Sequence, residues 1–228
     1  MDSPGIRQKI TILCSTLVTG GAETVVRALA LRLPGHGILP RVVCLREPGT
    51  IGEEIRNGGI EVRSGVSGGR LDAGAAVKLA RILGEERDSV LLCLDHHDAI
   101  FLGVLASLMA GLKHRVLCVH STALWTRKAT FTFTDRMALP RFERVVALAE
   151  NHARYLRDDG GIDGGRMVLI RNGVDTGKFR PERDAGVKAS VRRELGIPPG
   201  DLVVTMAAAM RPEKNHIMLV DAAARLLP

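Results

Sequence analysis

Apolar, β-branched runs alternate with stretches of helical periodicity through most of this chain, and that rhythm leaves few folds open to it. Strands separated by helices pair in parallel only if each helix crosses back over the sheet. The pattern therefore predicts an α/β fold, a doubly wound, Rossmann-like parallel sheet with helices on both faces. Lys9–Ser15 reads as the first strand and Ala22–Leu33 as the first helix, closed by Pro34 and Gly35. Strands follow at Arg41–Leu45 and around Ile60–Arg63, a helix at Ala73–Leu83, a strand at Ser89–Leu94 and a helix at Ala99–Ala110. Arg115–Val119 and Arg144–Leu148 are further strands, a helix begins near Asn151, and Met167–Ile170 closes the series.

Beyond that point the composition changes. Residues 173–200 are rich in glycine, proline and charge, with a short helical piece at Ala185–Leu195 ahead of Gly196-Ile-Pro-Pro-Gly. Leu202–Ala207 then predicts a fresh strand and Glu213–Leu227 a fresh helix. The expected organisation is residues 1–172 as an amino-terminal domain, 173–200 as hinge and linker, and 201–228 as the first βα unit of a second, incomplete domain. One βα unit cannot cover both faces of a sheet, so its apolar surface is expected to need something to dock on.

Aromatic residues make up only 3% of the chain against a hydrophobic fraction of 46%, so Leu, Val, Ile and Ala must fill the interior. No apolar run approaches the roughly 20 residues that cross a bilayer, and the first residues lack the apolar core of a signal peptide, so a cytoplasmic protein is expected. Cys14, Cys44, Cys93 and Cys118 each fall inside an apolar run and form no C-x-x-C pair, which reads as buried, inert thiols. The net charge of +7 suits an anionic partner: nucleic acid, a membrane surface or a phosphorylated ligand. Against nucleic acid, one Trp, one Tyr and five Phe supply few stacking platforms, and no recognition motif is present. The basic residues of Trp125-Thr-Arg-Lys128 and Arg136–Arg144 favour an anionic lipid surface, or form an ordinary solvated face.

Three segments at strand ends are candidates for chemistry. Thr19-Gly20-Gly21-Ala22-Glu23 follows the first strand and opens the first helix, where backbone N–H groups and the positive dipole end suit a phosphate. Neither G-x-G-x-x-G nor G-x-x-x-x-G-K-[ST] is present, which argues against a nicotinamide or ATP site, and a Gly-Gly turn also serves plain chain geometry. Asp95-His96-His97-Asp98 follows the fourth strand, but neighbouring residues in such a turn diverge, so helix capping by Asp98 is expected rather than a metal site. His120 ends the strand beginning at Arg115, at the carboxyl edge where ligands collect, or is a histidine satisfied by nearby backbone.

Taken together, Gly20-Gly-Ala-Glu23, His120, Val145-Val-Ala-Leu-Ala-Glu150, Ile170-Arg-Asn-Gly-Val-Asp175 with Phe179 and Pro181, and Arg211-Pro-Glu-Lys-Asn-His216 resemble the retaining glycosyltransferases of family 4, which have the GT-B fold. The resemblance runs over nearly the whole chain. It implies transfer of a sugar from a nucleotide-sugar donor to an acceptor, with retention and without a catalytic metal or other cofactor. The acceptor is expected to be a saccharide, lipid-linked or a polysaccharide precursor, with a peripheral contact to the inner face of an anionic membrane.

By that resemblance Gly20 and Gly21 meet the donor diphosphate, Lys214 and Arg211 neutralise its growing charge, and His120 contacts the transferring sugar. Asn172, Gly173 and Asp175 mark an interdomain hinge whose closure excludes water. Two departures stand out. Where many members carry an arginine five residues before the lysine, this chain has Ala209, and Arg211 is the nearest substitute. The family's paired glutamates, which grip the donor from the second domain, have no counterpart within residues 1–228, so this stretch is expected to lack turnover by itself. The alternative reading is a non-catalytic acceptor-binding or scaffolding module at an anionic membrane.

Overall fold

The computed structural model describes residues 8–18, 20–68, 72–86, 89–94, 97–120, 131–210 and 212–226. The chain divides into two compact units between Asn172 and Gly173.

The first unit is a seven-stranded sheet in the order β3-β2-β1-β4-β5-β6-β7, with every neighbouring pair parallel. Its strands are β1 (Gln8–Cys14), β2 (Ile38–Cys44), β3 (Val62–Arg63), β4 (Val90–Leu94), β5 (Arg115–Cys118), β6 (Arg144–Ala147) and β7 (Met167–Leu169). Helices α1 (Gly21–Arg32), α2 (Gly49–Asn57), α3 (Ala73–Gly84), α4 (His97–Ala110), α5 (Phe133–Ala138) and α6 (Glu150–Asp158) connect them.

Strand periodicity decides which side chain goes where. On β1, β2 and β4, the residues Ile12, Cys14, Val42, Cys44, Leu92 and Leu94 bury against α1 and α2 through Val26, Ala30, Ile51 and Ile55. Their neighbours Leu13, Val43, Leu91 and Cys93 point the other way, onto Ala75, Leu79 and Leu83 of α3 and Ala99, Leu102 and Ala106 of α4. With both faces covered the strands read as continuous apolar runs, which is why they are visible in the sequence. Burying a leucine on either face contributes roughly 1.5–3 kcal/mol.

The sheet holds a deeply buried charge. Arg41, 3% exposed, projects from β2 and donates to the Thr11 hydroxyl and the Ile82 carbonyl, while pairing with Glu85 and Glu86 at the end of α3. Its partners answer the cost of taking a guanidinium out of water, and they fix the α3 terminus to the sheet.

Two helices have no counterpart in the sequence reading. Helix α2 is nine residues long and rests on Ile51 and Ile55, one turn apart. Helix α5 has six residues and is set by a capping box, in which Thr132 and Asp135 satisfy each other's backbone. Both are too short for a periodic signal to stand out.

The second unit departs from expectation. No strand ladder forms across Leu202–Ala207, because a β-strand exists by virtue of its hydrogen-bonded neighbour and the segment has none among the described residues. The expected helix at Glu213–Leu227 resolves into a 3₁₀ turn at Pro212–Lys214 and α8 at His216–Leu226. Asn215 separates them at φ 50°, its Oδ1 accepting from the Met218 amide at 3.3 Å. Helix α7 (Ala185–Glu194) is capped by Asp184, which accepts from the Gly186 and Val187 amides. None of the described residues after Gly173 is buried.

Candidate functional site

Strand order places the candidate site. Chain progression reverses between β1 and β4, and doubly wound sheets bind ligands outside the carboxyl ends of the strands at such a switch point. The loop carrying Gly20 and Gly21 leaves β1 at this edge, the segment before α4 leaves β4, and His120 lies two residues past β5.

Gly20 is the N-cap of α1 in extended conformation, with no side-chain cap on the helix start. Its carbonyl accepts from the Thr24 amide at 3.1 Å and the Thr24 hydroxyl at 2.8 Å. A Cβ on Gly20 would run into the Glu23 carboxylate, whereas one on Gly21 would meet nothing within 4 Å. Gly21 is exposed, so the first turn of α1 turns its open side to solvent. The N–H groups of a first helical turn have no partners within the helix, and this is the chemistry an anionic oxygen needs.

Neighbouring loops hold this edge in place. Leu45 and Arg46 donate backbone N–H groups to Cys14 and Ser15, and Leu17 donates to Glu47, extending the β1–β2 pairing past the strand ends. Gly49 sits at φ 53°, and a Cβ there would lie 2.9 Å from the Leu17 oxygen, so both conformation and space demand glycine. The Arg46 guanidinium pairs with the Asp98 carboxylate, joining the loop after β2 to the start of α4. Asp98 is thus not the cap of α4 but its second residue, within the first turn where the helix dipole favours an acid.

Sulfur lines the same edge. Cys14 and Cys44 are register partners on β1 and β2, and both are buried free thiols. The neighbouring Cys44 thiol, and then burial, hold Cys14 well above the ordinary thiol pKa, while the Cys14 thiol draws Cys44 down. Cys44 also donates to the Glu47 carbonyl at 3.2 Å. On β5, the Cys118 sulfur lies 3.3 Å from Nε2 of His120. Cys93, on the opposite face, is pushed up by burial.

The sequence-derived residues fall into two groups. Gly20, Gly21 and His120 share the carboxyl edge of the first unit. Lys214 belongs to the second unit, exposed at the end of its 3₁₀ turn. The unit boundary falls between Asn172 and Gly173, and Asp175 folds the following turn by accepting from the Gly177 and Lys178 amides. Arg211, Asp95 and His96 lie outside the described residues, as does the side chain of His97. Among the described residues no group of three His, Cys, Asp or Glu side chains could hold a metal ion. The sequence reading missed the Arg46–Asp98 pair, which joins residues 52 apart, and the Cys118–His120 contact, for which the i, i+2 spacing on one strand was an available signal.

Known proteins extend this picture. The chain is 31% identical over 130 residues to the putative glycosyltransferase EpsF of Bacillus subtilis, covering 54% of this chain and 33% of that protein. It is 33% identical over 93 residues to a D-inositol 3-phosphate glycosyltransferase of Nocardia farcinica, covering 41% of this chain and 20% of the relative. The crystal structure of Anabaena Alr3699/HepE in complex with UDP-glucose superposes with a TM-score of 0.78 at 20% identity, covering 96% of this chain and 58% of HepE. The chain thus spans a third or less of the curated relatives and just over half of the solved structure. No helix among the described residues is long and apolar enough to cross a membrane. The profile of Glycosyltransferase Family 4 matches residues 19–178, more than half of the chain, and the chain belongs to that family.

Proposed function

We propose that this chain takes part in transfer of a sugar from a nucleotide-sugar donor to an acceptor, with retention of configuration. The observation that carries the reading is the open first turn of α1, with Gly20 and Gly21 at the switch point of a family 4 sheet. A leaving diphosphate gains negative charge as the glycosidic bond breaks, and N–H donors fixed in advance stabilise that charge without reorganising. Lys214 and Arg211 supply cations for the diphosphate, His120 contacts the transferring sugar, and Asn172, Gly173 and Asp175 serve as the hinge. In this reading no resident metal is needed. HepE was solved with UDP-glucose, and the same donor chemistry is what the glycine loop suits here.

The test is calorimetric titration of residues 1–228 with UDP, GDP and their glucose conjugates at low and moderate salt. Binding that survives added salt is expected, since short-range hydrogen bonds are screened less than diffuse attraction. Gly21→Pro isolates the site: proline is well tolerated at the first helical position, and Gly20 already has the extended backbone that a following proline requires. Loss of one N–H to a charged ligand predicts about tenfold weaker binding with an unchanged melting temperature. Unaltered affinity in Gly21→Pro overturns the assignment.

An acceptor carried by a lipid fits a second feature, and we propose a peripheral contact with an anionic bilayer. Leu105, Leu108 and Met109 on α4, and Phe133 and Met137 on α5, are exposed large apolar side chains on two helices that pack together. Phe133 is 77% exposed. Lys113, Arg136, Arg141 and Arg144 are exposed on or just after the same helices, so apolar insertion and attraction to anionic headgroups act together. Co-sedimentation with equimolar phosphatidylcholine–phosphatidylglycerol vesicles, but not with phosphatidylcholine alone, is expected. Equal binding by Phe133→Ser/Met137→Ser and the unaltered chain would sink the idea.

A further inference from the structure

We infer that Cys118 is a positioning residue for His120, its thiol holding the imidazole in the tautomer that carries the proton on Nδ1. The inference deepens the proposed function, because it rests on His120 as the side chain that faces the transferring sugar.

The sulfur is a fixed point. Cys118 lies inside the sheet, paired with Leu94 of β4 on one side and Val146 of β6 on the other. The Val119 amide continues the ladder to the Val146 carbonyl at 3.1 Å, so the strand stays registered up to His120. Cys118 is nearly buried and packs with Ile12, Leu92 and Leu94. Residues two apart on an extended strand project to the same side, so the ring at 120 lies beside the sulfur at 118 by the geometry of the strand. The observed separation of 3.3 Å between Sγ and Nε2 is a hydrogen bond.

Direction follows from the chemistry of the two groups. A thiol is a weak donor and a weak acceptor, whereas the unprotonated nitrogen of a neutral imidazole is a good acceptor. S–H pointing at Nε2 is therefore the favoured arrangement, and it leaves the ring proton on Nδ1. The hydrogen bond made by one ring nitrogen decides which form the other takes. Free imidazole side chains in water favour the opposite, Nε2–H form, so the preference here is imposed by the protein. A protonated Nδ1 is a donor with no lone pair, the form suited to a sugar hydroxyl or ring oxygen, whereas an unprotonated Nδ1 would be a base. That suits a group that orients the sugar and does not take a proton from it.

The experiment reads the tautomer directly. Long-range ¹⁵N–¹H correlation spectra of the full chain, recorded where the ring is neutral and assigned by the resonance lost in His120→Gln, are expected to show Nδ1 as the protonated nitrogen. In Cys118→Val the ratio of tautomers should move toward Nε2–H by about fivefold to tenfold, the size that one net hydrogen bond commands. Cys118→Ser, which keeps a donor at that position, should restore the original signature, and Cys118→Ala provides a second donor-free variant should valine disturb packing. An Nε2–H signature in the unaltered protein, or one unmoved by both Cys118→Val and Cys118→Ala, overturns the inference. Nucleotide-sugar titration of the unaltered chain and of His120→Gln is read separately, so the positioning role and the transfer reading can fail independently.

Discussion

The stretches 8–169 and 174–226 contain the same kinds of local sequence, apolar runs and amphipathic helices, and they end in different states. In the first, β1 meets β2 and β4 on its two edges and helices on its two faces, and Leu13, Val43 and Leu91 vanish from solvent. In the second, Leu202 is 92% exposed, and Val204, Ile217 and Val220 are exposed with it. Propensity is similar in both; what differs is the number of neighbours. A strand is stabilised by cross-strand pairs and covered faces more than by its own residues, so an apolar run such as Leu202-Val-Val, of the kind that forms strands in the first unit, forms none in the second.

The sharpest test of that contrast pairs two truncations. Leu79→Ala, at a fully buried position on α3, should lower unfolding stability by about 2–5 kcal/mol, because the lost methyl groups leave a cavity that the sheet cannot collapse into. Leu202→Ala should move the main denaturant midpoint hardly at all, within about 0.5 kcal/mol, since little burial is lost. A comparable loss in both variants would break the comparison. Native-state hydrogen exchange gives an independent reading: amides of β1 and β4 should exchange only with global opening, and those of residues 202–209 almost at once.

Glycine offers a second pair. Gly49 and Gly196 both hold left-handed backbone, at φ 53° and 67°, so conformation alone predicts a similar strain of about 1–2 kcal/mol on replacement by alanine. Their surroundings differ. A Cβ at Gly49 meets the Leu17 backbone, and one at Gly196 meets nothing within 4 Å. Gly49→Ala should therefore cost about 2–4 kcal/mol, strain plus contact, and loosen the loop beside the candidate site. Gly196→Ala should be confined to the end of α7 and leave the main transition where it is. Equal effects would mean that backbone strain alone governs both positions.

How far the sequence could be read follows the same logic. The strands of the first unit were legible because both-sided burial makes them unbroken apolar runs, and His120 was legible as the residue that outlasts such a run. Helix α2 was not, since it rests on two isoleucines and on the Gly49 turn, whose need for glycine comes from Leu17, distant in sequence. The misread segment was Leu202–Ala207, where residue preference was taken for pairing. In the site, the glycine loop declares itself by position after β1. The Arg46–Asp98 pair does not, because only the strand order brings those two loops together.

The smallest effect concerns a cap and its pH dependence. Asp72 caps α3, accepting from the Gly68 amide at 3.1 Å and the Ala75 amide at 3.0 Å, and these bonds, Gly68 first, hold its carboxyl below the ordinary value of 3.8. A carboxyl whose folded pKa is depressed stabilises the fold above its unfolded pKa and loses that contribution as pH falls through the folded one. The window lies below about pH 3.8, where the unfolded chain takes up the proton first. Asp72→Asn separates capping from charge, because asparagine caps a helix nearly as well and does not titrate. At neutral pH the variant should match the original closely, and under acid its melting temperature should fall less steeply. Asp184 also caps its helix, accepting from the Gly186 and Val187 amides of α7 but outside any buried core, so Asp184→Asn should leave the acid limb of the main transition unchanged. If it flattens that limb as Asp72→Asn does, α7 unfolds together with the sheet, and the division at Gly173 is not a division in stability.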